Sequence, residues 1–258
     1  RDRNQTAPSY KPSMEIVRER SVYRVQADGR YVWQHERTTR VLKAVGVDLA
    51  STDSIRYVPG DETIDALEAW TTLPDGTRID VEPGSIRDRD ERNDLAEVDA
   101  SDDGDSTGCS DLRSRVIVYP RISVGASASY RTEVRTEVPQ YPGEFQFSHS
   151  YSWEVIRHDM QVDIYIPESR KLYVRTRGVG GGLVGVENGI AHYRFQYARP
   201  EALAPEDGTP ERQQYADMLW VSTMPDMVAL GRISNRFFQG KAEVTEPIAT
   251  LARELTQG

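Results

Sequence analysis

Val22-Tyr23-Arg24-Val25-Gln26-Ala27-Asp28-Gly29-Arg30-Tyr31-Val32-Trp33 is the stretch that decides the fold. β-branched and aromatic residues crowd both sides of Asp28-Gly29, a dipeptide whose two residues tolerate the positive φ of a tight hairpin turn. Two long strands are expected around it, with Ile16, Val22 and Val25 on the first and Tyr31 and Trp33 on the second. The same period-two alternation, rich in Val, Tyr, Ile and Thr, continues over residues 14–197. A second hairpin is expected at Asp75-Gly76. Further strands are expected over 116–119, 127–138, 145–156, 161–166, 171–177 and 190–197, the last entered through Asn188-Gly189. The short connections imply antiparallel pairing. Many strands with closely spaced turns and no alternating helices imply an all-β fold, an antiparallel β-sandwich of two packed sheets, immunoglobulin-like or larger.

The period then changes. Residues 197–215 are rich in Pro, Glu, Asp and Gly and read as a linker. Met227, Leu230, Ile233 and Phe237 recur at helical steps, as do Ile248, Leu251, Ala252 and Leu255 after a Thr245-Glu246-Pro247 start. Two short C-terminal helices are expected, each with an apolar face that needs a partner. The expected organisation is a flexible segment over 1–13, a β-sandwich domain over 14–200, and a linker with helices over 201–258 leading into a further domain.

Composition narrows the function. Lys and Arg number 32 against 41 Asp and Glu, a net charge of −9, so a nucleic-acid backbone would be repelled. A single cysteine, Cys109, cannot form an internal disulfide. No uncharged apolar run approaches the roughly 20 residues of a membrane-spanning helix.

A set of ordered landmarks adds to this reading. They are the Ala27-Asp28-Gly29 hairpin with its aromatic strand, the short turn Gly46-Val47-Asp48-Leu49-Ala50, Tyr57-Val58-Pro59-Gly60, Pro74-Asp75-Gly76, Ser110-Asp111, Tyr119-Pro120, Val124-Gly125, and Pro142-Gly143 before an aromatic strand. In their order and spacing the chain resembles a bacterial family of unknown function that sits immediately N-terminal to transglutaminase-like domains in secreted or envelope proteins. The resemblance implies a periplasmic or secreted location and a downstream papain-like domain whose Cys, His and Asp carry the chemistry. The helix over 247–256 then looks like the first element of that next domain. No family catalytic residue maps onto this chain.

The chemistry-bearing residues support no catalytic set, cofactor or metal. Cys109 follows an acidic loop and precedes a strand, where its thiol would stay protonated rather than be activated as at a helix N-terminus. Among the histidines, His35 and His149 are expected as half-exposed cross-strand partners, and His158 and Asp159, adjacent on a strand, as pointing to opposite faces. With His192, none shows the paired spacing of a zinc site. Asp99, Ser101, Asp103 and Gly104 reproduce part of a calcium loop, but Ser110 stands where a bidentate Glu is required. The acidic run 87–111 reads as a solvated loop. Gly180, Gly182 and Gly185 satisfy a dinucleotide fingerprint, yet a strand follows where a helix is needed. Gly125-Ala126-Ser127-Ala128-Ser129 lacks the second glycine of a nucleophile elbow. The aromatics, including Tyr23, Tyr31, Trp33, Trp70, Tyr151 and Tyr165, are expected mainly between the sheets.

Three functional readings follow. The leading one is a non-catalytic accessory domain of a transglutaminase-like envelope protein, partnered by the downstream domain of the same polypeptide. The second is an autonomous glycan- or peptide-binding module of the envelope, using outward aromatics or an exposed sheet edge. The last is an enzyme using acidic-loop carboxylates, which are poorly preorganised for proton transfer.

Overall fold

The computed structural model describes residues 10–90, 112–204, 216–238 and 244–256. The alternating segments form fourteen strands in chain order: β1 (Met14–Val25), β2 (Tyr31–Val41), β3 (Thr52–Tyr57), β4 (Glu62–Thr72), β5 (Arg78–Asp80), β6 (Ile86–Asp90), β7 (Arg113–Val118), β8 (Ser127–Thr136), β9 (Gln146–Tyr151), β10 (Ile156–Pro167), β11 (Tyr173–Arg177), β12 (Gly180–Glu187), β13 (Ile190–Arg199) and β14 (Asp217–Ser222). A six-residue helix, α1 (Val45–Ala50), stands where a plain turn was expected.

Eight strands make one large sheet in the order β12-β13-β10-β1-β2-β8-β4-β5, and two three-stranded sheets, β11-β14-β9 and β3-β7-β6, accompany it. The packed antiparallel architecture agrees with the sequence reading. Two details differ. The layer that covers the large sheet is split in two, and one pair, β1 with β10, runs parallel. The continuous strand expected over 145–156 is also broken, so that β9 joins a small sheet while β10 enters the large one. β14, within the segment assigned to the linker and helices, lies between β11 and β9.

Both small sheets pack on the same face of the large one, because the inward residues of β1, β2, β8, β10 and β13 share a register. One core cluster unites Met160, Val162, Ile164 and Ile166 of β10 and Phe195 of β13 with Leu219 and Val221 of β14 and with Phe145. A second unites Tyr130 and Val134 of β8 and Ala69 of β4 with Ile55 of β3 and Ile117 of β7. Tyr23, Tyr31, Phe145 and Phe147 interlock in the first cluster, with Tyr23 stacked on Phe147 at 4.4 Å between ring centres. Most of the aromatics quoted from the sequence therefore serve the core.

The chain divides into two compact units, the first ending at Thr223 and the second beginning at Met224. The second holds α2 (Met227–Phe238) and α3 (Glu246–Thr256). Asp226 caps α2 by accepting a hydrogen bond from the Ala229 amide at 2.8 Å. Among the described residues no helix is long and apolar enough to cross a membrane.

The first hairpin depends on one glycine. Gly29 has φ +87°, whereas Asp28 does not enter the left-handed region, so the loop has three residues, Ala27-Asp28-Gly29, closed by the Gln26 amide on the Arg30 carbonyl at 2.8 Å. A Cβ on Gly29 would lie 2.7 Å from the Glu144 backbone nitrogen and oxygen. Gly76 has the same φ but nothing within 4 Å of such a Cβ. Gly76→Ala should therefore lose about 1 kcal/mol, from left-handed strain alone. Gly29→Ala should lose at least about twice that, read as a larger fall in urea midpoint at an unchanged slope.

Candidate functional site

The inward face of the large sheet can be read in rows of cross-strand neighbours. One row runs Tyr193, Ile164, Tyr23, Trp33, Val134, Ile64 and is largely apolar. The next runs Phe195, Val162, Ser21, His35, Thr132, Leu67, and the one after it Tyr197, Met160, Glu19, Arg37, Tyr130, Ala69. Polar side chains thus occupy the middle of two adjacent rows, on β1 and β2, with apolar residues at both ends. This polar patch lies where the two core clusters meet, and it is the strongest concentration of buried titratable groups among the described residues.

Its hydrogen bonds form a chain with a definite direction. The Trp33 indole can only donate, and it reaches Ser21 Oγ at 3.4 Å. Glu19 Oε1, which can only accept while ionised, lies 3.5 Å from His35 Nε2 and favours the N–H there, so that in the neutral imidazole Nδ1 accepts from Ser21 Oγ at 2.8 Å. Burial holds the His35 imidazole down to a pKa of about 4, so it is neutral at pH 7. Burial alone would raise the Glu19 carboxyl, but its electrostatic interactions with the His149 and His35 imidazoles and the Arg37 and Arg157 guanidinium groups outweigh it and leave it below the ordinary range. Arg37 pairs with Asp53 of β3, which ties the large sheet to one cover. Arg157 donates to the Ser152 carbonyl at 2.9 Å and lies over the Tyr151 ring. Glu19 Oε2, Arg37 Nε, Tyr119 Oη and Arg157 Nε are buried without a hydrogen-bond partner among the described residues.

Ser21, His35 and Glu19 have the residue types of a nucleophilic relay, and a neutral imidazole accepting a serine proton is the resting state of one. Access decides against that use. All three residues are buried, and the His35 ring is enclosed by Trp33 and Tyr130 at 4.9 and 5.4 Å between centres. The arrangement serves to hold charge between layers.

The outward face of the large sheet carries the other polar groups. Glu15 joins Arg40 at 3.0 Å and His158 at 2.7 Å. Asp159 joins Arg20 on the same face. A register shift between Arg157 and Met160 brings His158 and Asp159 to one side, which corrects the expectation that they diverge. His35 is likewise buried rather than half-exposed, because β2 is a central strand. His149 is half-buried on β9 against Tyr151, and His192 stacks on Tyr165 at 4.4 Å while reaching Asp163 at 2.6 Å. A depression of about 290 Å³ on this face is bordered by Arg20, Gln34, Glu36, Glu68, Arg131 and Glu133. Several of its charges are already matched, Arg131 with Glu36 and Glu133 with Gln34.

Among the described residues no three His, Cys, Asp or Glu side chains converge as metal ligands would. Cys109, the partial calcium loop Asp99, Ser101, Asp103 and Gly104, and Ser110-Asp111 lie outside the described residues. Gly180, Gly182 and Gly185 fall on β12, and Ser127 and Ser129 on β8. The buried patch was missed in the sequence because its members alternate along two strands with no local cluster.

A family model for a domain of unknown function with solved structure (DUF3857) matches residues 27–203, more than half of the chain. No curated protein matches it. Among solved structures, a candidate protease from Parabacteroides distasonis has TM-score 0.70 at 18% identity, with 84% of this chain and 41% of that one covered. An M1 zinc metallopeptidase from Deinococcus radiodurans has TM-score 0.40 at 8% identity, over 82% of this chain and 42% of its own. For Legionella pneumophila aminopeptidase A the values are 0.39, 5%, 83% and 22%. The chain spans less than half the length of each, and at 18% identity the likeness to the first is one of fold alone.

A folded pKa of about 4 for His35 against about 6.5 unfolded means that the unfolded chain binds the extra proton between those values, so stability falls as pH falls through that window. Between pH 7 and pH 5 this group alone should remove about 2 kcal/mol. His35→Gln should flatten that part of the profile, measured as the difference in denaturant midpoint between the two pH values.

Proposed function

The chain belongs to the DUF3857 family, and on that footing we propose that it is a non-catalytic β-sandwich accessory domain of a transglutaminase-like protein of the bacterial envelope, periplasmic or secreted. Its role is to position the enzyme domain or that domain's substrate. The observation that carries this reading is that the same fold makes up 41% of a candidate protease, leaving more than half of that protein for other domains. The site geometry supports it from a second direction. The buried Ser21, His35 and Glu19 face a core rather than a cleft, and the outward charges are laced to one another.

A free-standing peptide-binding module is the second reading, favoured by the β12 edge of the large sheet, which pairs with no further strand among the described residues. A glycan platform draws less support, because the ring stacks are mostly interior.

The purified chain, given fluorescent casein or a glutamine donor with a primary amine, should turn over neither. Turnover that disappears in Cys109→Ala would overturn the non-catalytic reading. The gene beyond the codon for Gly258 should encode a helix-borne cysteine followed by His and Asp on strands; a stop codon there would remove the positioning role.

A further inference from the structure

Natural sheets protect their free edges with shortness, charge or irregularity, since an unpaired strand is a template for another chain. Most edges here follow that rule. β5 has three residues and carries Arg78 and Asp80. β6 alternates Arg87, Asp88, Arg89 and Asp90. β11 carries Arg175 and Arg177, and β3 carries Asp53 and Arg56. β9 is short and polar around Ser148, His149 and Ser150.

β12 departs from it. This edge of the large sheet is eight residues long, has no charge before Glu187, and exposes Leu183 at 57%, Val184 at 60% and Val186 at 46%. Leu183 lies across from Tyr193 and Val186 across from Ala191, both on the core side. The register shift between Leu183 and Gly185 is what puts residues three apart on that one side. The core face therefore runs out past its own cover. β11 passes into β12 through Gly178 and Val179, so the edges of both layers lie on this flank, where Val174, cross-strand from the buried Val221, is also 36% exposed. Glycines fix the strand there: a Cβ on Gly178 would meet Asp217 Oδ1 and one on Gly181 the Arg194 carbonyl, each at 2.1 Å.

We propose that β12 is a strand-addition site, which takes an extended segment of another polypeptide as a ninth strand of the large sheet along residues 183–187. Backbone hydrogen bonds supply the pairing, and apolar side chains at alternate positions of the segment continue the core over Leu183 and Val186. Charge selects the partner. Along the β11–β12 segment, Lys171, Arg175 and Arg177 outnumber the one carboxylate, Glu187, in a chain whose net charge is −9, which fits a segment with acidic ends and disfavours a second copy of this chain. The proposal stands apart from the accessory role, since any polypeptide of this chemistry would satisfy it.

The test uses the full chain and a fluorescein-labelled decapeptide of three Val-Thr repeats between paired aspartates. Anisotropy should saturate, and amide exchange should slow over 183–187. Leu183→Lys and Val186→Lys, both at exposed positions, should each weaken binding by at least about ten-fold, while Val118→Lys on β7, equally exposed, should leave it unchanged. Lysines in place of the aspartates should also weaken it. Lack of saturable binding, or binding indifferent to the β12 substitutions, would overturn the proposal. So would a dimer by light scattering that protects 183–187 without peptide, since that outcome gives the edge to a second copy.

Discussion

Register under the large sheet depends on the three-residue loop Ala27-Asp28-Gly29. Its single left-handed residue sets Glu19 opposite Arg37 and Ser21 opposite His35. A two-residue loop would shift one strand by a position, which in a β-strand turns every side chain to the other face. The Ser21 to His35 hydrogen bond would then be lost, and Trp33 would leave the core. The close approach of Gly29 to the Glu144 backbone makes this loop a tertiary contact as well as a turn.

From that register follows the division of the interior. Charges buried between layers are tolerated only when opposed and hydrogen-bonded. Glu19 is opposed by Arg37 and Arg157 from neighbouring strands, and Arg37 is tied to Asp53 of one cover, while His149 faces Glu19 from the other. Five buried polar atoms still lack partners among the described residues, Arg199 Nε and four in and around this patch, so the patch is an expensive way to fill a core. What it provides is orientation. Apolar surfaces slide with little penalty, whereas a displaced Asp53 would strand the Arg37 guanidinium.

Much of the strand pattern was legible in the sequence, because alternation with period two is a property of single segments. Asn188-Gly189 behaved as such a dipeptide should: both residues take positive φ, and Glu187 pairs directly with Ile190. Asp28-Gly29 did not, since its loop draws in Ala27. β12 and β14 escaped notice, one hidden by its glycines and the other by the Pro-rich stretch before it. The split cover and the parallel β1 and β10 pair depend on contacts between distant segments, which no local period records. The buried patch was illegible for the same reason. Glu19 and Ser21 look like ordinary polar residues of an exposed strand until β10 closes over their flank.

The parallel pairing of Glu19 with Met160 has a consequence for how the chain is made. β1 is synthesised before β2, yet its second neighbour is made only after β9, on the order of ten seconds later at usual elongation rates. During that interval the β1–β2 hairpin offers a bare central edge, with Ile16 and Val25 uncovered. A sheet that holds β1 in its middle cannot be completed in the order in which its strands are synthesised. Completion of the large sheet therefore waits on β10, a pairing of long sequence separation of the kind that slows folding.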